Sequence, residues 1–432
     1  MSSGRQSSRQ VLTLLGATLI AVALLTWLWG WALPLVLFLV IAMVMGHEFG
    51  HFITAKRAGM KVTDFFVGFG PVLWSTTRGE TRYGIRALLL GGYVKVPGMT
   101  WFETIEPDAE GRTYRSASYP RKVLFASAGS LMHVVMALLI AYAALVFVGH
   151  PDSQSVAIGS FSKWQGHVQT AGQVAGLRTG DVIVAIDGHR VSGDSKLTYA
   201  GQRVDALSYV GDVVHAHAGR ALTIVVSRAG HRVDLRAIPV DGRSVLDKGV
   251  PIIKGATPVG LLGIFLVAPT VRTAWSSAFP DSVKLVASTI NQAAHALVHV
   301  FSPGEFTNLF HQVTTPALAQ ARASQTTRPV SIIGVVRIAD QAAQSNLPVF
   351  FSILITLNIF VGVMNMLPML PLDGGYVAIA TYERLRRRAG TLYHADINKL
   401  TPVVVAFVGV LVLLFACTLY LDIAYPITNP FH

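Results

Sequence analysis

His47-Glu48-Phe49-Gly50-His51 sets two imidazoles four residues apart, with a carboxylate beside the first. On a helix, positions i and i+4 share a face, so both rings can reach one metal ion. The glutamate then stands close enough to take a proton from water there. The plain alternative is a pair of core histidines, and the position of the motif decides between the two. It closes an apolar run with no other charge, and His47 lies nine residues before Lys56. That is a depth of about 13 Å at ~1.5 Å per helical residue. Polar side chains so deep in a membrane span need partners and default to a functional reading.

A catalytic zinc takes three protein ligands and keeps an open position. The third ligand is expected from another span at similar depth. Asp373 fits: it is the only acid between Asp340 and Glu383, and Pro368, Pro371, Gly374 and Gly375 break the helix around it. Irregular backbone at membrane depth is tolerated only where it is buried in protein or lines a polar cavity. Alternatively, Asp373 caps a helix or pairs with an arginine. The single cysteine, Cys417, lies in an apolar run, which excludes a disulfide framework and a cysteine-based zinc site.

The elements that must position these residues are membrane helices. Of 432 residues, 52% are hydrophobic and only 13% charged, too apolar for a soluble globular chain. Five stretches are long enough to span: 11–29, 32–56 with the first motif, 123–148, 347–376 with Asp373, and 401–422. The net charge of +12 suits cytoplasmic loops of a multi-pass protein, and no nucleic-acid motif accompanies it. Arg5 and Arg9 precede the first span, eleven Lys/Arg against six acids lie from Lys56 to Lys122, and Arg384, Arg386, Arg387 and Arg388 follow the fourth. The positive-inside rule makes all three cytoplasmic, with residues 149–346 and the C-terminus outside.

Between the third and fourth spans, 150–245 reads as a small soluble α+β domain. Turn glycines flank an alternating strand at Val182–Ile186, and a hairpin turns at Ala229-Gly230. The stretch 255–345 is expected to be a linker lying on or against the membrane.

Together these features resemble the site-2 proteases, intramembrane zinc metalloproteases, of the bacterial regulator-of-sigma-E protease type. The resemblance rests on the H-E-x-x-H in one span, "NMLPMLPLDGG" (Asn365–Gly375) in a later one, and the PDZ-like insert between them, and it runs from Leu35 onward. "VGFGPVLWSTTRGETRYGIRALLLGGYVKVPGM" (Val67–Met99) looks like the family's membrane-reentrant β segment within 57–122, and "RPVSIIG" (Arg328–Gly334) like its stretch ahead of the fourth span. The fold implied is a polytopic α-helical membrane protein of about five transmembrane helices, with that reentrant β segment and an extracytoplasmic α+β PDZ-like domain. By motif, His47, His51 and Asp373 would bind one Zn2+, Glu48 would be the catalytic base, and Asn365 would contact the substrate backbone. Gly91, Gly92, Tyr93 and Val94 would offer a strand edge to an unwound substrate, or simply end a structural hairpin. Three features depart from the family pattern. Ser130 and His133 replace Pro and Asn in an A-G-P-x-x-N-like stretch, Tyr376 stands where many members have His, and the span at 11–29 is additional. His133 is either a hydrogen-bond partner behind the ligands or a packed helix-interface histidine.

The resemblance implies a zinc metalloendopeptidase of the plasma membrane. Its expected substrates are single-pass membrane proteins such as anti-sigma factors, and remnant signal peptides; its surroundings are the lipid bilayer, with no nucleic acid. The PDZ-like domain would capture peptides, filter substrates by size, or act as a rigid spacer. Two other readings compete: a zinc-free membrane scaffold whose PDZ-like domain binds partners, and a zinc protease processing lipidated C-termini.

Overall fold

The computed structural model describes residues 30–426 except 100–104, 106, 153, 165–168, 194–196, 248–249, 252, 254–256, 316–317, 319–328, 387–394 and 396; before residue 30 it describes only 16, 20, 23, 24, 26 and 27. The span expected at 11–29 therefore lies mostly outside the described residues.

Helix α1 (Ala32–Arg57) is a continuous apolar rod ending in Lys56 and Arg57, where basic side chains complement the helix C-terminus. Strands β1 (Asp64–Arg78) and β2 (Thr81–Lys95) form an antiparallel hairpin folded back on itself, so that Phe66 faces both Gly84 and Tyr93. The fold-back requires glycine at Gly68 and Gly91, with φ of 83° and 114°, where L side chains are strained. Helix α2 (Tyr119–Ala143) starts at an extended Ser118 with Pro120 in its first turn, a position that needs no N–H. It continues as a wider turn through Val148.

The chain then builds a second compact unit, Val146–Ala274. Its main sheet contains β3 (Val156–Phe161), β4 (Val182–Ile186), β5 (Leu222–Arg228), β6 (His231–Ala237) and β7 (Ile264–Val267), with helix α3 (Ala206–Ala216) supplying part of the core. The strand order is β6-β5-β4-β3-β7, all antiparallel, with the short strand His189–Arg190 paired to β4. A register shift between Ile183 and Ala185 lets both Ile183 and Ile186 enter the core with Val210 and Ile224. The β5–β6 hairpin turns at Ala229-Gly230, both with positive φ, as the sequence suggests. One boundary is corrected: 255–345 is not one membrane-associated linker. Ile264–Val267 pairs with β3, because its alternating apolar side chains complete the sheet's core.

On returning to the first unit, the chain forms α4 (Trp275–Val300), α5 (Pro303–Thr314), α6 (Ile332–Ser345), α7 (Leu347–Asn365), α8 (Asp373–Arg386) and α9 (Thr401–Ala424). Helix α4 is amphipathic and buries Val286 and Ala293 against Ala137 and Ala141 of α2 and Ile355 and Ile359 of α7. Among the described residues, four helices are long and apolar enough to cross a membrane: α1, α2 with its extension, α7 and α9. The span expected at 347–376 is also corrected. Helix α7 stops at Asn365, residues 366–372 form a loop containing Pro368 and Pro371, and a new helix begins at Asp373.

Candidate metal centre

Helix α1 presents His47 and His51 one turn apart, and both are buried. Asp373 arrives from the first turn of α8. The Nε2 atoms of the two histidines are 3.2 Å apart, and Asp373 Oδ2 lies 3.3 Å from His47 Nε2 and 3.2 Å from His51 Nε2. These three ligand-type atoms form a nearly equilateral triangle. A tetrahedral ion with ~2.0 Å bonds has edges of about 3.3 Å, so the triangle fits the base of such a tetrahedron and leaves its apex open. His51 donates its other ring nitrogen, Nδ1, to Phe125 O at 2.8 Å, the orienting bond a metal-facing imidazole ordinarily makes.

Close backbone approach makes this geometry accessible. Gly129 of α2 sits against the imidazoles: a Cβ there would lie 2.3 Å from His47 Cε1 and 2.5 Å from His51 Nε2. Gly50 lets α1 rest on the Ala128 carbonyl, 2.5 Å from where a Cβ would be. At Gly374 a Cβ would lie 2.2 Å from Met366 O, so the turn that delivers Asp373 closes only on glycine. Helix α8 is held to the start of α2 by a largely buried ion pair, Lys122 Nζ–Glu383 Oε2 at 3.0 Å. Tyr376 packs edge-on to Tyr114, 6.1 Å between ring centroids.

Glu48 lies beside the β2 edge. A Cβ on Gly92 would be 3.3 Å from Glu48 Cγ. Lys95 turns its carbonyl inward to Thr63 N at 3.0 Å. Strand alternation therefore turns Tyr93 inward as well and leaves the amide groups of Gly92 and Val94 facing off the edge. The Tyr93 side chain stacks on Phe66 and Phe69 and accepts a 2.7 Å hydrogen bond from Arg86. Of the expected strand-edge residues, then, Gly92 and Val94 face outward, while Tyr93 belongs to the hairpin's own interior. Gly91 forms the bend.

Asn365 ends α7, half-buried, immediately before the loop to Asp373. His133 is 1% exposed, its ring centroid 5.1 Å from that of His47, and its Nδ1 bonds Asn358 Oδ1. Sequence reading does not single out Gly129, Asn358 or the Lys122–Glu383 pair. The available signals are a glycine and a lone amide in apolar helices, and two opposite charges 261 positions apart.

The profile of a protein family described as peptidase family M50 matches residues 35–409. Zinc metalloprotease Rip1 of Mycobacterium tuberculosis is 31% identical over 409 residues, covering 88% of this chain and 94% of that protein. Zinc metalloprotease Rip1 of Mycolicibacterium smegmatis is 26% identical over 418 residues, covering 90% and 96%. The chloroplastic membrane metalloprotease ARASP of Arabidopsis thaliana is 27% identical over 349 residues, covering 79% and 68%.

Proposed function

Because the chain belongs to peptidase family M50, we propose that it is an intramembrane zinc metalloendopeptidase that cuts single-pass membrane proteins, anti-sigma factors and remnant signal peptides among them. The observation that carries this reading is the 3.2–3.3 Å triangle of His47 Nε2, His51 Nε2 and Asp373 Oδ2. His47, His51 and Asp373 would hold one zinc ion, and the matching tetrahedral edge, with no fourth ligand in the cluster among the described residues, suits a catalytic rather than a structural site. Bound there, zinc supplies Lewis acidity that polarises a carbonyl and acidifies water.

The remaining chemistry belongs to this chain's own residues. Glu48 takes a proton from the attacking water and returns it to the leaving amine. An unwound substrate segment adds to the β2 edge at Gly92 and Val94, where main-chain groups face outward beside Glu48. Asn365, at the mouth of the loop to Asp373, contacts the substrate backbone. The inserted α+β unit serves as a PDZ-like domain that captures or filters substrates outside the membrane. A zinc-free scaffold does not fit membership of a peptidase family.

The test is zinc quantitation with a cleavage assay on purified full-length protein. Glu48→Gln is expected to lose all measurable cleavage while retaining one zinc per chain, since the base is not a ligand. Asp373→Ala is expected to lose both. Appreciable turnover by Glu48→Gln would remove Glu48 from its role, and full zinc occupancy in Asp373→Ala would put the third ligand elsewhere.

A further inference from the structure

His133 and Asn358 are both fully enclosed, 1% and 0% exposed, at the contact of α2 with α7. Two glycines press on the face they share. Gly129 lies one turn before His133 on α2, and Gly362 lies one turn after Asn358 on α7, where a Cβ would be 2.8 Å from His133 Cβ. The ring is therefore wedged beside His47 with little room to turn, its centroid 5.1 Å from that of His47.

Proton bookkeeping shows what the wedge does. In the orientation that turns Asn358 Oδ1 to the ring and leaves its Nδ2 unpartnered, the oxygen can only accept, so neutral His133 carries its proton on Nδ1 and Nε2 is a bare acceptor. His47 is the complement. To present a lone pair at Nε2 to a metal, neutral His47 must carry its proton on Nδ1 and becomes a donor there. His51 sends that proton to Phe125 O. For His47 Nδ1 the Gly129 backbone passes alongside, but no partner meets ordinary hydrogen-bond geometry among the described residues, and His133 Nε2 is likewise unpartnered. A buried donor and a buried acceptor left unmatched each cost about 1–3 kcal/mol. One water between the neighbouring rings would join them.

We infer that His133, held in one tautomer by Asn358, is a positioning residue: it accepts the proton side of His47 and so holds that ring with Nε2 toward the metal. The inference rests on the zinc reading above. It adds that α7 shapes the metal site through Asn358, two turns before the loop that carries Asp373. Outer hydrogen-bond partners of metal ligands typically change metal affinity ten- to a hundredfold when removed.

The experiment uses the full chain in detergent, with zinc affinity measured by chelator competition and the ligand field read from the visible spectrum of the cobalt-substituted protein. Asn358→Leu keeps the volume and removes the acceptor. It is expected to weaken zinc by about tenfold and to alter the cobalt spectrum. His133→Phe, which keeps ring volume without nitrogens, carries the same expectation as Asn358→Leu and stands in should that variant fail to accumulate. Wild-type zinc affinity and cobalt spectrum in either folded variant would overturn the link, because a packing role leaves both unchanged. A wild-type chain that takes up no zinc overturns the metal centre itself, an outcome distinct from this one.

Discussion

At the scale of single residues, two glycines would separate metal binding from catalysis in the proposed centre. Gly129 backs the imidazoles and Gly92 backs Glu48, so adding one methyl group at each probes a different half of the site. At Gly129 the new Cβ would lie 2.3–2.5 Å from three imidazole atoms, and on a helix packed against α1 it cannot retreat. Gly129→Ala is expected to lower zinc affinity by about tenfold or more, as displaced ligands do, with cleavage falling in parallel. At Gly92 the neighbours are Met45 Sδ at 2.8 Å, Phe66 O at 2.9 Å and Glu48 Cγ at 3.3 Å. Gly92→Ala is therefore expected to keep its zinc and lose kcat. Metal titration and steady-state kinetics on the same two preparations separate these outcomes, and loss of zinc in Gly92→Ala would contradict the assignment.

At the scale of elements, the proposed substrate edge of β2 and the α2–α8 clamp can each be tested. If substrate adds to β2, proline at an outward-facing position should harm it. Val94→Pro removes a donor and restricts its predecessor. With a net hydrogen bond worth about 1 kcal/mol and an unpaired buried carbonyl costing about 1–3, kcat/KM is expected to fall roughly ten- to a hundredfold at constant zinc content. Tyr93 is a poor site for this test, since its ring is stacked on Phe66 and Phe69; Tyr93→Phe, which keeps the stack, is expected to cleave nearly as wild type. The clamp is the Lys122–Glu383 pair, whose side chains are 9% and 12% exposed. Removing one member strands the other charge, at a cost of about 3 kcal/mol, whereas replacing both by apolar groups is close to neutral. Lys122→Leu is expected to be less stable to thermal unfolding in detergent than Lys122→Leu combined with Glu383→Leu. The reverse order would show that the pair is not what holds α8.

At the scale of the whole molecule, the surface of the spanning helices is that of a protein solvated by lipid. Helix α9 exposes Val405, Val412 and Leu413 at 64%, 60% and 57%, a continuous apolar face that water would not tolerate. Four such helices are described, an even number, which alone would return both termini to one side. If the apolar stretch at 11–29 spans as well, the count becomes odd. With Arg5, Arg9 and the basic segment from Lys56 to Lys122, we then expect a cytoplasmic N-terminus and an extracytoplasmic C-terminus. Reporter fusions at the two ends are expected to give opposite signals. Two like signals would remove or add a span and invert the side assigned to the inserted unit.

Much of this protein is set by local pattern and is readable without coordinates. Apolar run length delimits α1, α2 and α9 and the start of α7 to within a few residues, because the bilayer imposes a minimum that composition alone must satisfy. The i, i+4 spacing of His47 and His51 brings two ligand atoms together on any helix, and the isolated acid in a Pro/Gly-broken run singles out Asp373. What required tertiary structure is the part that depends on which chain segments meet. Residues 264–267 read as a membrane-facing stretch until β3 is seen beside them, since an apolar strand and an apolar linker share one composition. The end of α7 at Asn365 and the restart at Asp373 depend on carbonyls of 366–372 packing where only Gly374 and Gly375 leave room. The inward face of Tyr93 follows from a strand register that no single strand specifies. His133 stood undecided between ligand support and packing because its meaning lies in Asn358, 225 positions away, and a hydrogen bond between two helices is written in neither helix alone.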